Sequence, residues 1–190
     1  EGCRARGTSP RYLLHGITGS GKTEVYLHIM DEVIQRGDQV ILLIPEISLT
    51  YQTVRRVSTR FHGRVAILNS RMSIGERFEQ YKKCENGEVN VLIGPRSAVF
   101  APFERLGLII MDEEHESAYK SETAPRYETR DVAYERARLA GCPILYGSAT
   151  PSLTIYSAAL RGEVKLLELL ERAHAGAKLA ETEIIDLREE

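Results

Sequence analysis

Eight residues near the start of the chain, Gly16-Ile17-Thr18-Gly19-Ser20-Gly21-Lys22-Thr23, have the types and spacing to hold a phosphate. They fill every fixed position of the pattern Gly-x4-Gly-Lys-Ser/Thr. Glycines let successive backbone N–H groups turn inward around phosphate oxygens with no Cβ in the way. A helix starting where the loop ends adds its free N–H groups and the positive end of its dipole. Lys22 can then reach the β and γ phosphates, and the Thr23 hydroxyl can ligate Mg2+. The competing reading is a glycine-rich turn with no ligand. The flanks argue against it. Residues 12–15 read as a strand, and Val25, Ile29 and Val33, like Tyr26, Met30 and Ile34, recur at helical spacing. The chain is expected to bind a nucleoside triphosphate.

A second set of candidates closes the apolar run Leu108-Ile109-Ile110-Met111, which leads into Asp112-Glu113-Glu114-His115. An aspartate at a strand end can hold Mg2+, directly or through water, opposite Thr23. Glu113, the next residue, is placed to polarise an attacking water as general base. On its own, such a cluster also reads as an acidic helix start, since carboxylates stabilise that end of the dipole.

These residues need a scaffold, and the rest of the chain supplies one. At 190 residues it fits one domain with a proper core, and 43% hydrophobic with 27% charged residues is ordinary for a globular protein. The net charge of −2 gives no global case for a nucleic-acid partner, so that case must rest on local patches. Cys3, Cys84 and Cys142 are odd in number and far apart, which argues against a disulfide framework and against a zinc site. No apolar run has membrane-spanning length and no secretory pattern is visible, so a cytoplasmic protein with no membrane partner is the expectation. Residues 1–10 read as a linker or cut edge, 11–162 as the nucleotide-binding lobe, and 163–190 as a connection leading onward.

Strand and helix patterns alternate. Residues 40–44 form a short apolar run ended by Pro45, as a strand buried on both faces would. A helix is expected over 48–61, with Leu49, Val54, Val57 and Phe61 inward, then a strand over 64–68. Ser73-Ile74-Gly75-Glu76 is a capping-box pattern opening a helix toward Cys84. Strands follow over 89–93 and 106–111, and an aperiodic loop over 120–128. A helix over 129–140, a strand over 144–146 and a helix over 153–160 come next, with possible strands at 164–167 and 183–186. This alternation predicts an α/β fold of three layers, α/β/α, with a mostly parallel sheet of the RecA-like P-loop NTPase kind. Ligands of such sheets sit beyond the carboxyl ends of the strands, where each polar motif begins.

Asp112-Glu113-Glu114-His115 matches helicase motif II, Asp-Glu-x-His, and gives His115 a role beyond that of a surface group. With it, a string of phrases resembles the first motor lobe of superfamily 2 helicases of the DEAH type, most closely the PriA-type replication-restart helicases. Leu13-Leu14-His15-Gly16 through Val25-Tyr26 resembles motif I, and Pro45-Glu46-Ile47-Ser48-Leu49-Thr50 motif Ia. The stretch from Gly94-Pro95-Arg96-Ser97 to Phe103 resembles motif Ib. Residues 112–120 resemble motif II with its extension, and Gly147-Ser148-Ala149-Thr150-Pro151-Ser152 resembles motif III.

The resemblance implies ATP and Mg2+ as cofactors and no zinc within these residues. It implies DNA-stimulated ATP hydrolysis coupled to 3′-to-5′ movement along single-stranded DNA, in an enzyme that restarts stalled forks. Forked DNA, primosome proteins and single-strand-binding proteins would be its partners, with this lobe itself a monomer. Thr50, Arg96 and Ser97 would hold the DNA backbone, their residue types being suited to phosphate. Ser148 and Thr150 would couple nucleotide state to DNA contact. Loop capping and turn chemistry are the plainer readings of these five. Beyond motif II, Tyr119, Lys120, Arg126, Tyr127 and Arg130 would form an aromatic-rich element that stacks on bases and contacts phosphate. Pro125 stands where some relatives carry tryptophan. Arg55, Arg56, Arg60, Lys82 and Lys83 read as a solvated helix face.

A motor of this kind hydrolyses ATP between two lobes, the second supplying an arginine for the transferred phosphate. These residues alone are expected to bind nucleotide, hydrolyse it feebly and unwind nothing. Two rival readings remain: a lobe of another superfamily 2 DNA translocase, and a non-catalytic docking lobe for primosome partners.

Overall fold

A computed structural model of the chain describes residues 9–171. Among these, seven strands form one sheet in the order β3-β4-β2-β5-β6-β1-β7. They are β1 (Arg11–Gly16), β2 (Gln39–Leu43), β3 (Val65–Ile67), β4 (Val91–Gly94), β5 (Leu106–Asp112), β6 (Ile144–Ser148) and β7 (Lys165–Leu169). Every pairing is parallel. The expected "mostly parallel" sheet is thus wholly parallel, because each strand returns through a helical or turn crossover.

The helices are α1 (Lys22–Gln35), α2 (Tyr51–Arg60), α3 (Ile74–Glu85), α4 (Thr129–Ala140) and α5 (Leu153–Leu160). Alternation along the strands sorts their side chains onto two faces. Leu14, Val40, Leu42, Leu108, Ile110 and Leu145 pack with Tyr26, Leu27 and Met30 of α1 and Val57 of α2. Leu13, Ile41, Leu43, Ile109, Met111 and Tyr146 pack on the other face, with Cys84 of α3, Ala133 and Ala137 of α4, and Ile155 and Ala158 of α5. Three layers, α/β/α, result.

The helix expected over 48–61 starts later. Pro45 leads into a 3-10 turn at Glu46–Ser48, and Thr50 caps α2 by accepting the Thr53 N–H at 3.3 Å. Of its expected inward residues, Val57 and Phe61 are buried while Leu49 and Val54 are partly covered. The capping box of α3 forms in full: Ser73 accepts the Glu76 N–H, and the Glu76 carboxylate accepts the Ser73 N–H. The possible strand at 183–186 lies outside the described residues.

Parallel strands share a direction, so their carboxyl ends lie along one edge of the sheet. The segments after β1, β6 and β5 are neighbours there, and so are those after β4, β2 and β5. The strand that ends in Asp112 belongs to both groups.

Candidate active site

The segment after β1 turns at Gly19 (φ 79°) and Gly21 (φ 90°), left-handed conformations that glycine adopts without penalty. A Cβ on Gly16 would stand 2.5 Å from Ser20 Oγ, so backbone and hydroxyl crowd a pocket that only glycine leaves open. The Ser20 hydroxyl is buried without a protein partner, and the Lys22 ammonium donates to the Gly16 carbonyl at 2.9 Å. A buried unpaired hydroxyl and a buried cation at a helix start suit a polyphosphate.

Motif II faces this loop. Glu113 has φ 46°, the left-handed region, which costs a non-glycine residue of order 1–3 kcal/mol and persists where surrounding structure fixes it. Its carboxylate lies 3.7 Å from the Lys22 ammonium and 3.7 Å from His115 Nδ1. Asp112 is held differently. The Tyr26 hydroxyl, from the second turn of α1, donates to its carboxylate at 2.8 Å. Burial pushes the Asp112 carboxyl above its ordinary value, an effect opposed by the Tyr26 hydrogen bond and by Lys22. Burial also drives the Tyr26 phenol well above its ordinary range.

Motif III follows on the neighbouring strand. Ser148, wholly buried, lies 2.8 Å from His115 Nδ1 and accepts the Thr150 N–H at 3.0 Å. Thr150 Oγ1 is 3.4 Å from the other ring nitrogen of His115. Glu113, His115, Ser148 and Thr150 thus form one polar chain from motif II to motif III.

Toward β4 the same edge holds a polar cleft of about 470 Å³, lined in part by Glu46, Asn69, Arg77, Arg96, Ser97 and Tyr127. Arg96 Nη1 donates to the Lys120 carbonyl at 2.7 Å and more loosely to Ala118 at 3.4 Å. A hollow of about 550 Å³ near the starts of β1, β5 and β6 includes no residue of the phosphate loop.

The model of the DEAD/DEAH box helicase family matches residues 7–158. The chain belongs to the DEAD/DEAH box helicases. Relatives within reach include the replication restart protein PriA of Bacillus subtilis, 48% identical over 94% of this chain and 22% of that protein. PriA of Treponema pallidum is 46% identical over 94% of this chain and 27% of that protein. The chain therefore spans between a fifth and a third of the relatives it matches. Among solved structures, RecG bound to a three-way DNA junction covers 90% of this chain and 22% of its own, with a TM-score of 0.63 and 24% identity. The Pyrococcus furiosus Hef helicase domain covers 84% of this chain and 35% of its own, with a TM-score of 0.60 and 20% identity. These two establish the RecA-like fold, as the alternating elements predict.

Set against that helicase fold, two residues expected to touch DNA face inward instead. Tyr119 is 1% exposed, and its hydroxyl donates to the Asp112 carbonyl at 2.7 Å. A ring enclosed by core cannot stack on a base. Arg130 turns into the protein, donating to Ser152 Oγ at 2.9 Å and pairing with Glu114 at 3.5 Å. Thr50 and Arg96 also carry structural duties, a helix cap and a grip on the 118–120 backbone, while Ser97 lines the cleft. Lys120 is exposed and Arg126 is exposed with its Nε donating to the Glu122 carbonyl, whereas Tyr127 is partly covered, edge-on to Phe100 at 5.3 Å. Among the basic residues of α2, Arg60 pairs with Asp31 and Arg56 approaches Glu24 at 4.0 Å; on α3, Lys82 pairs with Glu85 at 2.7 Å.

Sequence reasoning missed Tyr26 and Glu114. Tyr26 sits at a core-facing helical position, and nothing local shows that its tip reaches a carboxylate 86 residues away. Glu114 is 1% exposed and accepts the Ser152 N–H at 2.6 Å and the Ser152 hydroxyl at 2.9 Å. A carboxylate among three others gave no signal of burial. Among the described residues, no group of three or more His, Cys, Asp and Glu side chains could hold a metal ion.

Proposed function

We propose that the chain is the ATP-binding motor lobe of a 3′-to-5′ DNA helicase that restarts stalled replication forks and helps load the primosome. The observation that carries this reading is the polar chain from Lys22 through Glu113, His115 and Ser148 to Thr150. It joins a phosphate-binding loop to the motif next to it on the sheet, a connection a simple nucleotide kinase does not need. The names of the matched relatives support the biological setting.

Mg·ATP, when bound, supplies the phosphoryl group and the divalent charge. Lys22 and the backbone of 16–21 orient the phosphates, and Ser20 adds a hydroxyl from within the loop. Thr23 and Asp112 would hold the metal, with the Tyr26 hydroxyl donating to the Asp112 carboxylate and fixing its rotamer. Glu113 accepts a proton from the attacking water, and Lys22 and His115 fix its carboxylate meanwhile. Thr50, Arg96, Ser97, Lys120, Arg126 and Tyr127 lie on the β4–β2–β5 half of the edge and would hold single-stranded or forked DNA. Primosome and single-strand-binding proteins are the partners of the whole enzyme, which acts in the cytoplasm.

The test is ATP turnover by the full-length protein with and without single-stranded DNA, in wild type, Lys22→Ala and Glu113→Gln. We expect DNA-stimulated turnover in wild type, and a fall of about 10²–10⁴-fold in Glu113→Gln with nucleotide still bound. Lys22→Ala should lose turnover while retaining fork binding. Unchanged turnover in either variant, with restart activity intact, would favour a non-catalytic docking lobe.

A further inference from the structure

After β4 the chain makes a 3-10 turn, Arg96–Phe100, which carries two of the residues read as DNA contacts, Arg96 and Ser97. Hydrogen-bond geometry in a 3-10 turn is poorer than in an α-helix, so its own backbone holds it weakly. This turn is gripped from outside. The Tyr81 hydroxyl, from α3, donates to the Ser97 carbonyl at 2.9 Å. The Arg136 guanidinium, from α4, donates through Nη1 to the Val99 carbonyl and through Nη2 to the Ala101 carbonyl at 2.8 Å. Arg96 and Ser97 line the polar cleft, whereas Tyr81 and Arg136 do not.

Packing alone does not account for these two side chains. A phenylalanine would fill the Tyr81 site, so what the hydroxyl adds is the bond to Ser97. Burial pushes the Tyr81 phenol above its ordinary value, which keeps it protonated and a donor. Arg136 is partly buried and its acceptors are neutral carbonyls; among the described residues no carboxylate pairs with it. Burial holds its guanidinium below the ordinary value. Withdrawing a cation from water with no counter-charge is unfavourable, and an apolar side chain at the site would avoid it. A charge kept there leaves a positive potential behind the turn, and an anion in front of the turn is attracted by it.

We propose that Arg136 and Tyr81 are positioning residues for DNA binding: from behind the 96–100 turn they fix its backbone, and Arg136 lends it an uncompensated positive charge. The inference rests on the reading of Arg96 and Ser97 as residues that hold the DNA backbone. Neither Tyr81 nor Arg136 touches the nucleic acid. A turn already fixed when the strand arrives needs no ordering on binding, so affinity rises without an added contact. The pair acts on how tightly the strand is held and leaves the hydrolytic step alone.

The experiment uses the full-length protein with Tyr81→Phe, Arg136→Met and Arg136→Lys, and oligo-dT as the DNA. Four quantities are read: the oligo-dT concentration that half-activates ATP turnover, its dependence on salt, kcat at saturating oligo-dT, and the melting temperature. Tyr81→Phe, which removes one oxygen, should raise the half-activating concentration about threefold to tenfold, the worth of one hydrogen bond. Arg136→Met should raise it about tenfold to a hundredfold, and Arg136→Lys should recover part of that loss. In all three, kcat at saturation and the slope of log affinity against log salt should match wild type, because no phosphate contact is removed. Should Arg136→Met fail to fold, Tyr81→Phe carries the test alone. An unchanged half-activating concentration in Tyr81→Phe overturns the proposal, whatever the melting temperature does. So does a salt slope reduced by about one in Arg136→Met, since that marks direct contact with a phosphate. A wild-type protein whose turnover ignores oligo-dT overturns the functional reading, and this inference with it.

Discussion

The Asp112 carboxylate lies mostly out of water beside a second carboxylate; burial raises it above its ordinary value, while the Tyr26 hydrogen bond and Lys22 favour its charged form. The room for Tyr26 comes from Gly147. A Cβ there would fall 1.7 Å from the Tyr26 hydroxyl oxygen and 2.8 Å from the ring carbon that bears it, and the buried ring has no vacant place to go. Gly147→Ala should therefore expel the tyrosine, cost about 1–3 kcal/mol in unfolding free energy as overpacking does, and weaken Mg·ATP binding. Tyr26→Phe should keep the packing and lose only the hydrogen bond. Denaturant melts with nucleotide titrations distinguish them: equal losses of stability would show that Gly147 is not there for Tyr26. The sequence makes Gly147 visible as part of motif III, but not its reason, because that reason is a helix from which four strands, β2 to β5, separate it along the chain. The buried Glu114 was hidden in the same way. The resemblance set Tyr119 among the DNA-facing residues, and three residues of 3-10 turn, Ser117–Tyr119, are too short to show a pattern that says which side of a tyrosine meets water.

Among the elements, those with strong local signals match the sequence reading to the residue: α4 at Thr129–Ala140 and α5 at Leu153–Leu160. Gly141 in the left-handed conformation ends the first, and Ser152, accepting the Ile155 N–H, begins the second. The boundary that moved most was the start of α2, where Pro45 and a 3-10 turn compete with helical periodicity for the same residues. Cap chemistry also allows a prediction at this scale. α3 buries little beyond Cys84, so its start depends on the Ser73–Glu76 box. Ser73→Ala should lower stability by about 1 kcal/mol in urea unfolding near neutral pH. Hydrogen bonds from Ser73 hold the Glu76 carboxyl below its ordinary value. A depressed carboxyl stabilises above its unfolded pKa and loses that contribution as the pH falls through the folded pKa. The Ser73→Ala penalty should thus shrink on acidification below the ordinary glutamate range. A penalty that stays constant below that range would mean the Glu76 carboxylate contributes nothing to the box.

Across the whole molecule, one parallel sheet explains why five separated motifs meet. Loops after β1, β6 and β5 put phosphate binding, motif III and motif II side by side, and those after β4, β2 and β5 put the polar cleft beside motif II. β5 is shared, so a change at Asp112–His115 is felt on both halves of the edge. The arrangement also exposes what this lobe lacks within its described residues. Lys22 is the cation that pairs with Glu113, whereas Arg130 and Arg96 are committed to Glu114 and to backbone carbonyls. The chain spans about a quarter of the length of the PriA relatives it matches. Residues 1–190 alone should bind Mg·ATP but turn it over slowly and without response to single-stranded DNA. Restoring the rest of the protein should raise turnover by about 10³–10⁵-fold, the range an arginine finger contributes, and make it DNA-dependent. Single-turnover hydrolysis by the two forms, at matched nucleotide occupancy, decides the matter. Equal rates would mean that the lobe carries a complete site and that the two-lobe account of the motor is wrong for this protein.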